Sequence, residues 1–162
     1  MRRFQQATQA RRVVIEACES RRLLFAWAPA GFSALNDVAV LDIVSGQHRV
    51  TINGAHLFAP VGTTSIQLSA GSGNDEVSVL RTNLPVNIFM QGGNDVVRIS
   101  DSSQQTLNDI NAPISIDGGE GQNSIGVFDR LAGVTRSYDI DRSLLDGAYI
   151  QRSGSPHRIR WT

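Results

Sequence analysis

The chain holds a single cysteine, Cys18, in 162 residues, so no internal disulfide framework can stabilise it. That usage suits a cytosolic protein, and equally a bacterial secreted one stabilised by other means. Lysine is missing altogether. All 15 basic residues are arginine, and no glycine-rich turn is followed by the Gly-Lys-Ser/Thr of a phosphate-binding loop. No stretch approaches the roughly 20 apolar residues that a membrane-spanning helix requires. Formal net charge is +0 at pH 7, but the charges are unevenly spread. Arg2, Arg3, Arg11, Arg12, Arg21 and Arg22 crowd the first 22 residues; Leu35 to Asp129 carries ten acids against three arginines; Arg130 to Thr162 carries six arginines against three acids. The acidic middle disfavours nucleic acid, whose phosphates need a positive surface, and favours cations.

What is present is 41% hydrophobic, ordinary for a soluble fold, in a length that accommodates one domain with a core plus a leader. Within residues 65–127 one pattern recurs three times without a gap. Ile66 to Val79, Val86 to Ile99 and Ile114 to Val127 each read as an apolar pair, a Gly/Asn/Asp turn and a second apolar pair. The pairs are Ile66/Leu68 with Val77/Val79, Val86/Ile88 with Val97/Ile99, and Ile114/Ile116 with Ile125/Val127, and their period of two predicts short half-buried strands. One unit cannot bury its apolar row alone, so successive units must stack. The expected fold is all-β: a short right-handed parallel β-solenoid over residues 35–162, preceded by a helical leader over residues 1–34.

Val50 and Ile52 fall in the slots of Ile66 and Leu68 and predict a degenerate fourth unit ahead of the clear ones. Ser45-Gly46 is a turn pair that predicts a hairpin or a first coil. The interval from Asp95 to Asn123 is longer than that from Asp75 to Asp95, and the extra residues around Ser102 to Asp109 read as a tolerated surface loop. Alternating runs over residues 130–162 predict capping strands that cover the open end of the solenoid.

In the leader, an arginine-rich segment precedes the uncharged run Leu23 to Ala34, the order of a secretory signal. Ala28-Pro29-Ala30 or Phe32-Ser33-Ala34 supplies the small residues of a cleavage site. The alternative is an amphipathic capping helix with Val13, Val14, Ala17, Leu24 and Trp27 on one face. Ile15-Glu16-Ala17-Cys18-Glu19-Ser20-Arg21-Arg22-Leu23-Leu24 resembles the LEPR-xLL type leader of bacterial secreted repeat proteins, and Ser20 to Phe25 is similar to a twin-arginine signal. These resemblances imply export to the extracellular space or cell envelope.

The turns carry the candidate chemistry. Ala70 to Ser78 resembles the calcium-binding nonapeptide GGxGxDxUx of RTX-type β-rolls, departing at Ala70; Met90 to Arg98 keeps Gly93, Asp95 and Val97; Gly118 to Gly126 keeps the glycines but has Asn123 for aspartate. The resemblance implies a calcium ion between stacked turns, with Gly71, Gly73, Asp75, Gly93, Asp95, Gly119, Gly121 and Asn123 as its site. Calcium takes six to eight oxygens, and glycine-rich turns present backbone carbonyls readily. Two departures narrow this: the roll repeats its nonapeptide twice per coil, whereas here it occurs once, and only Asp75 and Asp95 keep the acidic letter. The other reading of the same residues is that Asn and Asp cap tight turns by hydrogen bonds to backbone.

His48, His56 and His157 are scattered, with no nucleophile motif beside any of them, and read as surface or loop residues. Arg81 and Arg98 are the only bases within the repeats, which leaves little for lyase or hydrolase chemistry. The expected function is a non-catalytic, exported structural or adhesive module with calcium and cell-surface or matrix components as partners, and without nucleic acid or a membrane span. A carbohydrate-binding or polysaccharide-cleaving β-helix and a calcium-independent structural repeat are the alternatives.

Overall fold

Strict alternation of apolar and polar side chains produces strands with one buried face, and Val86–Phe89 and Ile114–Asp117 show it residue by residue: buried, exposed, buried, exposed. The structure is a computed structural model that describes residues 25–100, 106–130, 138–143 and 147–162. These residues are all-β, and no helix occurs among them. The strands are β1 (Phe25–Trp27), β2 (Val38–Val44), β3 (Gln47–Ile52), β4 (Ala55–Phe58), β5 (Thr63–Ser69), β6 (Glu76–Val79), β7 (Val86–Phe89), β8 (Val96–Ile99), β9 (Ile114–Asp117), β10 (Ser124–Val127), β11 (Tyr138–Ser143), β12 (Gly147–Arg152) and β13 (Ile159–Trp161). Accordingly, no described helix is long and apolar enough to cross a membrane.

The strands form two mixed sheets, one ordered β1-β5-β7-β9-β13-β12-β11 and the other β10-β8-β6-β2-β3-β4. From β5 to β10 the chain changes sheet at every connection, and each strand lies parallel to the strand one unit earlier. Ile66, Val86 and Ile114 are register partners in the first sheet, as are Val77, Val97 and Ile125 in the second. The core lies between the sheets. Ile66, Leu68, Val77, Val79, Val86, Ile88, Val97, Ile99, Ile114 and Ile116 are buried in it, and Ile125 and Val127 pack against it at the end of the second sheet. At about 1.5–3 kcal/mol for each large side chain fully buried, these rows are the main stabilising term.

Val50 and Ile52 do not take the slots of Ile66 and Leu68. They lie on β3, antiparallel to β2 in the second sheet, opposite Leu41 and Ala39. Two hairpin turns decide this: Ser45-Gly46 and Asn53-Gly54 all have positive φ (52°, 78°, 49° and 86°), the geometry of tight two-residue loops, so β2, β3 and β4 fold as a meander. The unit that precedes the clear repeats is instead Phe25 to Leu41, with β1 parallel to β5 and β2 parallel to β6.

This placement also changes the leader. Trp27 stands in a strand and, with Phe32, packs against the core, so the helical expectation does not hold from Phe25 onward. Residues 1–24, with Cys18 and the leader motifs, lie outside the described residues. At the other end β13 pairs parallel with β9, and β12 and β11 follow antiparallel, so the tail widens the first sheet. In the long β8–β9 connection Leu107 and Ile110 are buried, so its described part packs on the core as well as spanning the surface.

Candidate functional site

The turns between β5 and β6, β7 and β8, and β9 and β10 stack along one side of the molecule. Ser72, Gly92 and Glu120 are parallel bridge partners. Gly92 N–H donates to Gly71 O (3.1 Å), Gly73 N–H to Gly92 O (3.0 Å), Gly93 N–H to Glu120 O (3.3 Å) and Glu120 N–H to Gln91 O (2.6 Å). All eight residues of the expected calcium site are therefore brought together.

Close approach between turns explains the glycines. At Gly93 (φ 135°) a Cβ would lie 1.6 Å from Gly73 O, and at Gly121 (φ 102°) 1.9 Å from Gly93 O. Gly73, Gly93 and Gly121 thus form a column in which backbone touches backbone. Gly71 and Gly119 flank Gln91 in the adjoining column, where a Cβ on Gly119 would meet Gln91 O at 2.0 Å.

Beside the glycines run two ladders of opposite sense. In one, Asn74 N–H donates to Asn36 Oδ1, Asn94 N–H to Asn74 Oδ1 and Gln122 N–H to Asn94 Oδ1, each at 2.8 Å. In the other, Asp37 N–H donates to Asp75 Oδ1 (2.7 Å), Asp75 N–H to Asp95 Oδ1 (2.8 Å) and Asp95 N–H to Asn123 Oδ1 (2.9 Å). A turn accepts from the next one through its asparagine and from the previous one through its aspartate, or through Asn123 in the last. Asn123 ends the second ladder and donates its Nδ2 to Gly118 O at 2.6 Å.

Asn36 and Asp37 belong to this site and were not expected there. Their signal was in the sequence: Asn36-Asp37-Val38-Ala39-Val40-Leu41 has the same Asn-Asp-x-apolar-x-apolar order as Asn74 to Val79. It was hidden because Ser33 and Leu35 stand where the later turns have Gly71 and Gly73; backbone atoms of Ser33 and Leu35 lie against those two glycines.

Asp37, Asp75 and Asp95 are each about 1% exposed. Asp37 is well served: Ser33 N–H reaches its Oδ2 at 2.6 Å and Asn53 Nδ2 its Oδ1 at 2.5 Å, and these bonds, the Ser33 N–H foremost, hold its carboxyl below the ordinary carboxylate value. Asp75 goes the other way. Burial pushes its carboxyl up, the Asp37 N–H opposes this, and the neighbouring Asp95 and Asp37 charges add to the rise. The Oδ2 atoms of Asp75 and Asp95 are buried without a hydrogen-bond partner.

Calcium takes six to eight oxygens. Here two carboxylate oxygens are uncommitted, while the amide oxygens of Asn36, Asn74, Asn94 and Asn123 and the carbonyls of Gly71, Gln91, Gly92 and Glu120 already accept N–H groups. Among the described residues, no group of three or more His, Cys, Asp or Glu is arranged to hold a metal ion.

The remaining candidates are dispersed. Arg81 grips Asp42 with two bonds (2.5 and 2.8 Å), and Arg98 forms an ion pair with Glu76 on the outer face of the second sheet. His48 is buried, contrary to the surface expectation: its Nε2 accepts Asn83 N–H at 3.4 Å, and burial pushes its pKa down. His56 Nδ1 lies 2.9 Å from the Thr51 hydroxyl. No family model, no curated protein and no solved structure matches this chain.

Proposed function

We propose that this chain is a non-catalytic structural module of exported type, a short β-solenoid whose turns are closed by their own side chains. Support for the solenoid comes from strands that alternate between sheets while pairing in parallel with their equivalents one unit away, and from turns stacked in register. Its right hand follows the general hand of parallel crossover connections. The functional reading rests on the two ladders. The residues that make the turns resemble an ion site are used, rung after rung, to accept the N–H groups of adjacent coils. Such a stack serves as a rigid element or a display surface, with cell-surface or matrix components as its partners. Asn94→Ala tests it: the Gln122 N–H loses its acceptor at an exposed rung, and urea unfolding should show a loss of about 0.5–1.5 kcal/mol, with or without calcium. Unchanged stability would overturn the reading.

A second reading is favoured by one observation, the buried and unpartnered Oδ2 atoms of Asp75 and Asp95. A calcium ion held between these two turns would satisfy both. In that case calcium raises the melting midpoint, and Asp75→Ala combined with Asp95→Ala abolishes the shift.

Export places any processing ahead of Phe25. Ala28-Pro29-Ala30 and Phe32-Ser33-Ala34 lie between β1 and β2, so cleavage at either would detach Trp27 from the core, and cleavage after Ala34 would also remove the Ser33 N–H from Asp37.

A further inference from the structure

The outer face of the first sheet is polar in an organised way. Gln67 on β5, Asn87 on β7, Ser115 on β9, Arg160 on β13 and Tyr149 on β12 are successive register partners, so they form one row across five strands, spaced by the strand separation of about 4.8 Å. Gln67, Asn87, Ser115 and Arg160 are exposed. Over the Asn87, Ser115 and Arg160 part of the row lies an open groove of about 580 Å³, lined also by Pro85, Pro113, Gln151, Pro156 and Arg158. A separate, smaller hollow of about 210 Å³ lies beside Gln67 and the half-exposed ring of Phe89, with Asp117 in its lining.

The two arginines define the ligand. Arg160 has no ion-pair or hydrogen-bond partner among the described residues. Arg158 is held in place: its Nε donates to Gln151 Oε1 at 2.8 Å, and its guanidinium lies 4.5 Å from the Tyr149 ring centroid. Neither is neutralised by a described carboxylate, although each of the three arginines of the acidic middle lies close to an acid: Arg81 on Asp42, Arg98 on Glu76, and Arg49 opposite Asp42 in register. A planar guanidinium beside an open groove matches a carboxylate.

We propose that this groove binds a carboxylated polysaccharide, a polyuronate chain lying across the strands. The amide and hydroxyl row meets sugar hydroxyls at a spacing comparable to one pyranose ring, the prolines and Phe89 offer apolar surface to ring C–H faces, and Arg158 and Arg160 take the uronate carboxylates. An acidic peptide is disfavoured because β7, β9, β13 and β12 are each paired on both sides, which leaves no backbone groups for strand addition. Nucleic acid is disfavoured because the two described arginines of the groove are too few for its regularly spaced phosphates.

The test is titration of the full chain with short oligogalacturonates by calorimetry, with uncharged cello-oligosaccharides, an acidic peptide and single-stranded DNA as comparisons. Saturable binding of the oligogalacturonate alone is expected, weakened about tenfold or more by Arg160→Ala, the equivalent of one lost charged hydrogen bond. Arg158→Gln should weaken it as well. Because Arg160 is exposed, its variant should melt as the parent does, which separates lost binding from lost folding. Absence of oligogalacturonate binding, equal binding of the uncharged sugar, preference for the peptide or DNA, or indifference to Arg160→Ala would each overturn the proposal.

Discussion

Asp75 stands in the most costly position of the ladder. Its Oδ1 accepts the Asp37 N–H, but its Oδ2 is buried without a partner between two other carboxylates. Asn123 occupies the same column and shows that an amide oxygen does the accepting equally well. Asp75→Asn should therefore stabilise the protein at about pH 7 by on the order of 1 kcal/mol in urea unfolding. The folded-state pKa of Asp75 is raised above 3.8, so as pH falls through that raised value the folded protein takes up the proton first and the cost disappears. The advantage of the variant should shrink accordingly towards about pH 4. Asp37, lowered in the fold, works in the opposite sense: its stabilisation is complete above 3.8 and is lost as pH falls through its lowered value. Gly93→Ala should destabilise strongly, by on the order of 3 kcal/mol in the same measurement, because both its φ and the Gly73 carbonyl oppose a side chain. The sequence made these glycines and aspartates visible as a motif. Their use was not visible, because each donor or acceptor finds its partner one turn away, at a separation of 20 to 38 residues for the rungs from Asp37 to Asp95.

The apolar pairs of β5 to β10 were legible, and each pair faces the core as the alternation required. Alternation is blind to strand direction, however. Val50 and Ile52 have the same period as Ile66 and Leu68, and only the positive-φ turns at Ser45-Gly46 and Asn53-Gly54 turn β3 into an antiparallel hairpin strand. The same blindness hid β1. Phe25-Ala26-Trp27 reads as part of a hydrophobic signal segment, yet it extends the first sheet, and Ser33 to Asp37 begins both ladders. Consequently, an exported form of this protein should retain Phe25 and everything after it. Intact-mass analysis of the secreted product checks this, and a mature terminus at Gly31 or Leu35 would contradict the assignment of β1 to the fold.

Taken whole, the described residues combine parallel stacking, from β1 through β10 and on to β13, with two antiparallel additions. The β2-β3-β4 meander extends the second sheet, and β13, β12 and β11 extend the first. The repeat announced the stacked middle because its period is written in the sequence. The antiparallel strands β3, β4, β11 and β12 carry no such period, and their places depend on turns and on pairings outside the repeat. Tightly apposed turns require glycine where backbones touch and oxygen acceptors where N–H groups of the next turn arrive, and these are the same residue types that a calcium-binding turn uses. The most direct test is the thermal midpoint of the full chain in millimolar calcium and in chelator. A native-state site filled a hundredfold above its dissociation constant adds about 2.7 kcal/mol and raises the midpoint accordingly. Turns closed by their own side chains predict the same midpoint in both solutions, whereas a rise in calcium that Asp75→Asn with Asp95→Asn removes would contradict this account.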